Sequence, residues 1–511
     1  MKRNSSRRRI DVNVDELDRI IDAAMREPLS ETDSRTLKTA VHAMAERLVR
    51  RRNTEKTSAV LEPKAPPAAV ATPEQEKQAA AGHGRNGAAA FTGANRVAVA
   101  HATLHSGDLC PEWREGRVYR QKEPATLIRI VGQAPLEATV FEMERLRCNG
   151  CGEVFTASEP QSAGSEKFDT TAVAVIALLK YGTGMPFNRM ERLEGQLGIP
   201  LPATTQWELM EAAAKSLKPV MDELIRMAAQ GSVMHNDDTS MRILQLARSA
   251  DDGRSGTFTS GIVSICGGWK IALYFSGWKH AGENLADVLK HRPPGLAPPI
   301  QMCDALSRNT PKLTVIEILS AYCLAHGRRQ FTEVAESFPD ECRYVLESLG
   351  EVYGFDAEAK ERGLTPEERL TFHQTHSAPV MEHLHQWMEN QFAEHKTEPN
   401  SGLGKAISYL LRHWTKLTLF LRQQGAPLDN NIVERALKKA ILHRKNALFY
   451  KTMNGARVGD LFMSLIHTCE LNKANPFDYL TELLRHPAEL IVRPAEWMPW
   501  NYMRDATAVA A

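Results

Sequence analysis

Three acidic residues of this sequence, Asp237, Asp304 and Glu434, have neighbours that could bring them into one catalytic site. Asp237 ends a short, largely apolar strand pattern, Asp304 ends a second one, and Glu434 lies early in a helical pattern. Acids at the ends of neighbouring strands of one sheet can meet at its edge. Mg²⁺ prefers oxygen ligands, and two such ions can activate the attacking oxygen and stabilise the leaving oxygen in phosphoryl transfer. The three acids therefore predict a two-metal phosphoryl-transfer site.

The helix predicted around Glu434 is basic. Asp429 or Asn430 can cap its first turn, because side-chain oxygens of these residue types accept the free amide hydrogens there. At 3.6 residues per turn, Glu434, Lys438 and Lys445 fall within about 40° of one another. Taken alone, this pattern is typical of a solvated helix with an i,i+4 ion pair. Its combination with the two strand-end aspartates favours a metal-binding role for the glutamate.

The patterns around these acids follow the order of an RNase H-like α/β core. Two β-rich runs, 257–266 and 269–275, are joined by Gly267-Gly268, which predicts a hairpin. A helix over 282–291 and a strand over 299–303 come next, and then an apolar run over 314–324 that fits either a helix or a strand. We expect the first part of the core at 231–330, a helical insertion at 331–425, the helix with the third acid at 426–470 and a C-terminal tail at 471–511.

The chain before the core divides into four segments by composition and pattern. Residues 165–230 show two short helical patterns and a long third one, which indicates a helix-turn-helix-like domain, although its many acids fit a helical packing unit equally. Residues 100–158 are rich in strand-forming types, and we expect a zinc-ribbon-like β module. Residues 53–99, rich in Ala, Pro and Gly, predict a flexible linker. Residues 1–52 predict a helical N-terminal arm for oligomerisation or DNA contact.

The zinc prediction rests on Cys148-Asn-Gly-Cys151, whose spacing is that of a turn directing two thiolates at one tetrahedral metal. A closed site needs four ligands, and we expect them to be Cys148, Cys151, Cys110 and one histidine, His105 or His101. Trp113 stands where a second cysteine of the first knuckle would be. A metal-free ribbon held by its own core is therefore the alternative.

Composition is that of an ordinary soluble protein, with 43% hydrophobic and 24% charged residues in 511. No apolar run reaches the roughly 18 residues that span a bilayer, and the basic start lacks the apolar core of a signal peptide. We expect a cytoplasmic, nucleoid-associated protein that has no membrane partner and whose eight cysteines are reduced. A net charge of +1 neither requires nor excludes nucleic acid.

Several segments together resemble the TnpC-type DDE transposases of bacterial insertion sequences, the insertion-sequence sixty-six family. The resemblance covers nearly all of the chain from about residue 100 onward. The segments are Leu146-Arg-Cys148-Asn-Gly-Cys151-Gly-Glu-Val-Phe155, Met185-Pro-Phe-Asn-Arg-Met190, His235-Asn-Asp237-Asp-Thr239, Cys303-Asp304, Cys323-Leu-Ala-His326-Gly-Arg328-Arg329, Asp429-Asn-Asn431-Ile-Val-Glu434-Arg435 and Arg444-Lys445-Asn446. The family usually has Glu after the first aspartate, where this chain has Asp238.

The resemblance implies an RNase H-like core with an acid triad at Asp237, Asp304 and Glu434, and DNA strand cleavage and joining at terminal inverted repeats. We expect Asp237 to bridge two Mg²⁺ or Mn²⁺ ions, with Asp304 and Glu434 each holding one, and Zn²⁺ to be a further candidate cofactor at the ribbon. Clustered cations would bind strand phosphates. These are Arg328, Arg329, Lys438, Lys439, Arg444 and Lys445.

The expected partners are the DNA of the terminal repeats and of the target, further copies of the same chain in the active complex, and accessory proteins of the same element. Two alternatives stay open at this level. One is a catalytically inactive DNA-binding derivative of such a transposase, and the other is an RNase H-like nuclease such as a junction resolvase. A cleavage assay beside a binding assay would separate them.

Overall fold

The structure is a computed structural model. It describes Val99 and residues 102–111, 116–119, 135–147, 154–158, 160, 164, 166–246, 256–313 and 316–502. The predicted N-terminal arm, nearly all of the predicted linker, and Cys148, Cys151, Trp113 and His101 lie outside these residues. The described residues belong to two compact units, one with residues 168–187 and 206–502 and the other with the described residues up to 167 and residues 188–205.

The strands are β1 (Arg145–Arg147), β2 (Val154–Thr156), β3 (Val233–Ser240), β4 (Ile243–Gln245), β5 (Phe258–Cys266), β6 (Trp269–Gly277), β7 (Ile300–Cys303), β8 (Leu319–Tyr322) and β9 (Tyr450–Thr452). The helices are α1 (Thr170–Ala177), α2 (Phe187–Gln196), α3 (Ala203–Ala228), α4 (Ala281–Leu289), α5 (Leu324–Val334), α6 (Pro339–Glu361), α7 (Pro366–Ala393), α8 (Gly402–Leu417), α9 (Asn431–Ala447), α10 (Met453–Leu471), α11 (Pro476–Arg485) and α12 (Pro487–Val492). A π-helical segment, Leu178–Gly182, continues α1, and a one-turn 3₁₀ helix, Ser307–Asn309, follows β7.

A five-stranded mixed sheet with strand order β6-β5-β3-β7-β8 forms the centre of the larger unit. β5 and β6 form an antiparallel hairpin, and Gly267 and Gly268 take the positive φ values of +55° and +89° that its two-residue turn needs. β3 runs antiparallel to β5 and parallel to β7, and β7 runs parallel to β8. The mixed α/β class expected from the sequence is therefore confirmed.

Helix α10 covers β6, which is an edge strand of this sheet. Successive outward N–H groups of β6 donate to side chains four residues apart on or just after α10, because two strand residues and four helix residues span nearly the same length. Lys270, Ala272, Tyr274 and Ser276 donate, in that order, to Asn472 Oδ1, Thr468 Oγ1, Ser464 Oγ and Asp460 Oδ2 at 3.1, 3.1, 3.0 and 2.6 Å. The helix thus satisfies an edge that would otherwise be open to pairing with another chain.

Helices α5 to α8 form a second apolar core that continues from the sheet. Met302 and Tyr322 of the sheet share this core with Phe331, Leu346 and Leu384 of the helices. An ion cluster joins α6 and α7, in which the buried Asp356 accepts hydrogen bonds from Arg369 at 2.6 and 3.0 Å and from the exposed Lys360 at 2.5 Å. The region between Asp304 and Glu434 is helical from α5 to α8.

The smaller unit contains short β elements. β1 and β2 pair antiparallel on either side of the Cys148–Cys151 segment. A tight hairpin near Cys110 is closed by Gly107 N donating to Val118 O at 2.8 Å and by Cys110 N donating to Gly116 O at 2.7 Å. The left-handed φ of +100° at Gly107 fits a residue without a Cβ.

Three local expectations change with the structure. β3 does not end before its acids, because pairing with β5 continues to Ser240. The apolar run 314–324, which fitted either class, contains strand β8 and the start of α5. The region after Pro487, part of the predicted C-terminal tail, forms α12 and a 3₁₀ turn, because Pro487 takes a first-turn position where its missing N–H costs nothing.

Candidate active site

The first two predicted acids lie side by side on neighbouring parallel strands. β3 and β7 pair in the register Val233↔Ile300 to His235↔Met302. Continuing this register by two residues brings Asp237 of β3 opposite Asp304, which directly follows β7. Asp304 is only 9% exposed. Two carboxylates from distant parts of the chain therefore meet at one end of the sheet.

A single amide nitrogen joins these two carboxylates. Asn309 Nδ2 donates to Asp237 Oδ1 at 3.1 Å and to Asp304 Oδ1 at 2.6 Å. Asn309 is fully buried, and its backbone oxygen accepts hydrogen bonds from Asn236 Nδ2 and Gln301 Nε2, both at 2.7 Å. The 3₁₀ turn after β7 is thereby tied to both strands, which fixes the amide between the two acids.

The electrostatics of this pair favour a cation. Burial raises the pKa of Asp237 to about 6, and the neighbouring carboxylate of Asp304 also raises it, whereas hydrogen bonds from the Asp238 N–H and from Asn309 lower it. Two buried carboxylates disfavour each other's charge unless a positive ion lies nearby. The donor set is oxygen-rich, which is the chemistry that Mg²⁺ or Mn²⁺ requires.

Asp238 serves a different element. Adjacent residues of a strand point to opposite faces, and the Asp238 side chain is only 1% exposed. Its Oδ2 accepts from His280 Nδ1 at 2.8 Å and from the N–H of Ala281, the first residue of α4, at 3.4 Å. Arg308 Nη2 lies 3.6 Å from Oδ1. Asp238, which stands where the resembled family usually has Glu, therefore forms hydrogen bonds with the start of α4.

Glu434 lies in the first turn of α9, and the residue before this helix attaches it to β3. Asn430 is fully buried and donates through Nδ2 to Asn236 O at 3.1 Å, while its Oδ1 lies 3.1 Å from His235 Nδ1. Asp429, one of the two expected caps, accepts from the N–H of Asn431 at 3.1 Å. The side chain of Asn430 thus bonds the strand that contains Asp237 instead of capping the helix.

The body of α9 packs on the sheet at a glycine. A Cβ at Gly261 of β5 would lie 3.0 Å from Leu437 Cδ2 and 3.3 Å from Val433 Cγ2. Gly261 is the register partner of Asp237. Val433, the neighbour of Glu434, therefore lies over the strand pair that contains the first acid, and this close approach depends on the absence of a side chain at position 261.

The immediate neighbours of Glu434 come from α5. His326 Nδ1 lies 3.6 Å from Glu434 Oε1, and both atoms are buried without a hydrogen-bond partner in the described part of the chain. The sulfur of Cys323 lies within 4.8 Å of a ligand atom of each of these two residues. An unpartnered buried carboxylate oxygen costs free energy, so its presence fits a site where a cation is the missing partner.

The six predicted phosphate contacts differ in their present partners. Lys438 and Lys445 of α9 are exposed. Lys439 forms an ion pair with Glu470 at 2.8 Å. Arg444 donates to Thr239 Oγ1 at 2.9 Å and to Ser240 Oγ at 2.7 Å, and so connects α9 with the end of β3. Arg328 and Arg329 lie half-buried on α5. Contact of these side chains with DNA stays a prediction.

Of the predicted zinc ligands, the structure describes two. His105 is exposed and lies 3.5 Å from Asp108 Oδ2, which also accepts the N–H of His105. Cys110 lies in the hairpin closed by Gly116 and Val118. Zinc binding by Cys110 and His105 together with Cys148 and Cys151 stays a prediction.

Sequence reasoning missed Asn309, and it considered Asn430 only as a possible cap of the helix. Asn309 and Asn430 act through turns whose shape no local pattern specifies. His326 had a usable signal, because the spacing Cys-x-x-His recurs in metal sites, but the segment 323–329 served only as evidence of family resemblance.

Comparison with known proteins gives the family. The model of the family described as "Transposase IS66 family" matches residues 166–458, which is more than half of the chain. The chain belongs to this family. Relatives in Sinorhizobium fredii include uncharacterized protein y4jD, 28% identical over 72% of this chain and 73% of its own length, and uncharacterized protein y4hP, 27% identical over 71% and 68%.

The family match confirms the resemblance that the sequence motifs indicated, and it gives this IS66-family protein a transposase role and hence DNA as a partner. The matched range contains Asp237, Asp304 and Glu434, and it ends before the predicted C-terminal tail. Within the part of the transposase that the structure describes, no helix has the length and apolar character to cross a membrane.

Proposed function

We propose that this protein is a DDE transposase that cleaves and joins DNA strands at the terminal inverted repeats of its insertion sequence by two-metal phosphoryl transfer. In cleavage, water adds to the phosphorus of a phosphodiester and the 3′ oxygen leaves as a hydroxyl. In joining, that hydroxyl attacks a target phosphodiester and displaces its 3′ oxygen. The observation that supports this most strongly is the shared amide hydrogen bond between Asp237 and Asp304.

The sheet supports an RNase H-like assignment of the core. Its order, with an antiparallel hairpin beside β3 and two parallel strands on the other side, agrees with the strand–helix–strand order expected from the sequence. In this proposal the first acid lies on the central strand, the second follows the adjacent parallel strand, and the third lies on α9 after the helical insertion. The helix-turn-helix-like role of α1 to α3 and the zinc-ribbon-like module belong to the same proposal.

The residues fit Mg²⁺ or Mn²⁺, and Asp237, Asp304 and Glu434 would hold the ions. When bound, such ions lower the barrier by activating the attacking oxygen and stabilising the leaving oxygen. The chain's own part is positional. Asn309 Nδ2 donates hydrogen bonds to both aspartates, and the side chain of Asn430 attaches the start of the Glu434 helix to β3. The exposed Lys438 and Lys445 would bind phosphates of the DNA strand.

A cleavage assay on the DNA that flanks this gene tests the proposal. We expect the full-length protein with Mg²⁺ or Mn²⁺ to cut at matched repeats on both sides, and Asp304→Asn to reduce cutting at least 10³-fold, a loss on the order of 4 kcal/mol in transition-state stabilisation. The matched control is Asp222→Asn, which removes an exposed acid paired with Lys218.

A gel shift on the same DNA separates catalysis from binding. We expect Asp304→Asn to bind the repeats about as tightly as the wild-type protein. Binding without any metal-dependent cutting by the wild-type protein would favour the inactive derivative. Cutting of branched DNA irrespective of the repeats would favour a junction-resolving nuclease.

A further inference from the structure

Three side chains outside the aspartate pair converge at the start of α9. The ligand atoms of Cys323, His326 and Glu434 all lie within 4.8 Å of one another. His326 Nδ1 and Glu434 Oε1 face each other at 3.6 Å, which is too long for a hydrogen bond. Both atoms are buried, and neither has a hydrogen-bond partner among the described residues. Two facing polar atoms of this kind are costly unless a third group satisfies both.

Backbone contacts hold these three residues together. Cys323 is the N-cap of α5, and His326 lies in the first turn, so their i,i+3 spacing puts them on one side of the helix start. The N–H of Asn430 donates to Cys323 Sγ at 3.2 Å, and the N–H of Leu324 donates to Leu428 O at 2.9 Å. The segment before Glu434 is thereby joined to the segment that contains Cys323.

The donor chemistry points to a particular class of ion. Sulfur, imidazole nitrogen and carboxylate oxygen together suit Zn²⁺ and Co²⁺, whereas Mg²⁺ prefers oxygen alone. In a tetrahedral site with metal–ligand distances of 2.0–2.3 Å, the donor atoms lie about 3.3–3.8 Å apart. The separation of 3.6 Å between His326 Nδ1 and Glu434 Oε1 falls in this interval.

We propose that Cys323, His326 and Glu434 bind a divalent transition-metal ion of the Zn²⁺ or Co²⁺ type, with a fourth position open to water. Binding displaces the thiol proton of Cys323 to solvent, since the thiolate is the metal ligand. The N–H of Asn430 then bonds the metal-bound sulfur, a second layer of contact that is usual in metal sites.

This site differs from the two others predicted for the chain. The ribbon ligands Cys110, Cys148 and Cys151 are distant in sequence, and the Asp237–Asp304 pair offers only oxygen. The site does not depend on the proposed function. One consequence does: if Glu434 is the third catalytic acid, a zinc ion held by Cys323 and His326 occupies the same carboxylate and slows cleavage.

Titration with Co²⁺ tests the site, because a cobalt–thiolate bond has a charge-transfer absorption band that cobalt bound by oxygen and nitrogen lacks. The full-length chain is used with Cys148→Ser and Cys151→Ser, which removes the ribbon knuckle. We expect the band to saturate at one equivalent, to disappear with Cys323→Ser, and to require at least 10-fold more Co²⁺ with His326→Gln. Cys342→Ser, which changes a buried thiol of α6, should leave it unchanged.

Absence of the band in the knuckle-free chain, or its persistence with Cys323→Ser, would overturn the proposal. Where Cys323→Ser fails to fold by circular dichroism, the partly exposed His326→Gln decides, because an unchanged Co²⁺ affinity contradicts the site. Excess Mg²⁺ should not displace the cobalt. A negative result in the cobalt titration would not contradict the proposed function, because the cleavage assay with Asp304→Asn tests that function separately.

Discussion

The close approach of α9 to β5 at Gly261 gives a sharp test of how the fold positions Glu434. The Cβ of Gly261→Ala would lie 3.0 Å from Leu437 Cδ2 and 3.3 Å from Val433 Cγ2, closer than well-packed carbons lie. Both neighbours are buried, and a valine in a helix keeps one side-chain rotamer. We therefore predict that Gly261→Ala pushes the start of α9 away from the sheet.

The magnitude follows from two opposing terms. Overpacking a core by one methyl group costs about 1–3 kcal/mol. Replacing a strand glycine returns about 0.5–1 kcal/mol, because alanine loses less conformational entropy on folding. We expect Gly261→Ala to lower the free energy of unfolding by about 0.5–2 kcal/mol. Leu437→Ala alone should cost about 2–5 kcal/mol, and the double variant should be about 1–3 kcal/mol more stable than the sum predicts, since the new methyl occupies the vacated space.

Urea unfolding, read by hydrogen–deuterium exchange of peptides from α9, measures these values. A displacement of α9 also moves Glu434, so we expect Gly261→Ala to slow cleavage about 10-fold and the double variant to recover part of that rate. Additive effects of Gly261→Ala and Leu437→Ala, within about 0.5 kcal/mol, would refute the claim that the helix packs directly on this glycine.

Three further predictions concern buried polar groups. Burial raises the pKa of Asp460 to about 7. The stability that its neutral carboxyl contributes is therefore fully present below the unfolded pKa near 3.8 and is lost as the pH rises through 7. In urea unfolding, Asp460→Asn should be roughly 2–4 kcal/mol more stable than wild type at pH 8 and about equal to it at pH 4. Burial raises the pKa of Asp356, but the hydrogen bond from His373 and the charge of Arg369 outweigh burial and hold this pKa well below its usual range. The stability that the Asp356 carboxylate provides is therefore present above the unfolded pKa and is lost as the pH falls. Asp356→Asn should destabilise the α5–α8 region by about 3–5 kcal/mol at pH 7. Asn309→Ala removes the amide that Asp237 and Asp304 share and should weaken Mn²⁺ binding about 10–100-fold by calorimetry.

The control for the unfolding experiments is Asp222→Asn, which breaks an exposed ion pair with Lys218 and should change stability by less than about 1 kcal/mol. Equal stability of wild type and Asp460→Asn at pH 8 would contradict a buried charge on α10. An Asp356→Asn variant as stable as wild type would contradict the ion cluster. Unchanged Mn²⁺ affinity in Asn309→Ala would show that the shared amide does not position the aspartates.

The order of the core elements was predictable because local signals specified it. Gly267-Gly268 between two β-rich runs indicated a hairpin, because two-residue hairpin turns need positive φ values that glycine adopts without strain. The apolar segment before Asp304 is too short for a helix and formed β7. These signals act over a few residues, so a single sequence contains them.

The positioning of the acids was less predictable because it depends on contacts between distant parts of the chain. Asn309 bonds Asp237 across 72 positions, and Asn430 bonds Asn236 across 194. Clustered cations were equally ambiguous, because sequence spacing cannot show that Lys439 pairs with Glu470 or that Arg444 bonds the end of β3. The sequence alone did not show which distant residues would lie against each of these side chains.

The central claim is that Asp237, Asp304 and Glu434 share one magnesium site. Iron(II) that replaces Mg²⁺ reduces added hydrogen peroxide to hydroxide and hydroxyl radicals. The radicals cut the polypeptide close to the bound ion, and mass spectrometry locates the cuts. We predict cuts near all three acids, suppression of all of them by excess Mg²⁺, and their loss in Asp304→Asn. Cuts near the two aspartates without Mg²⁺-sensitive cuts near Glu434, or cuts that persist in Asp304→Asn, would contradict the claim.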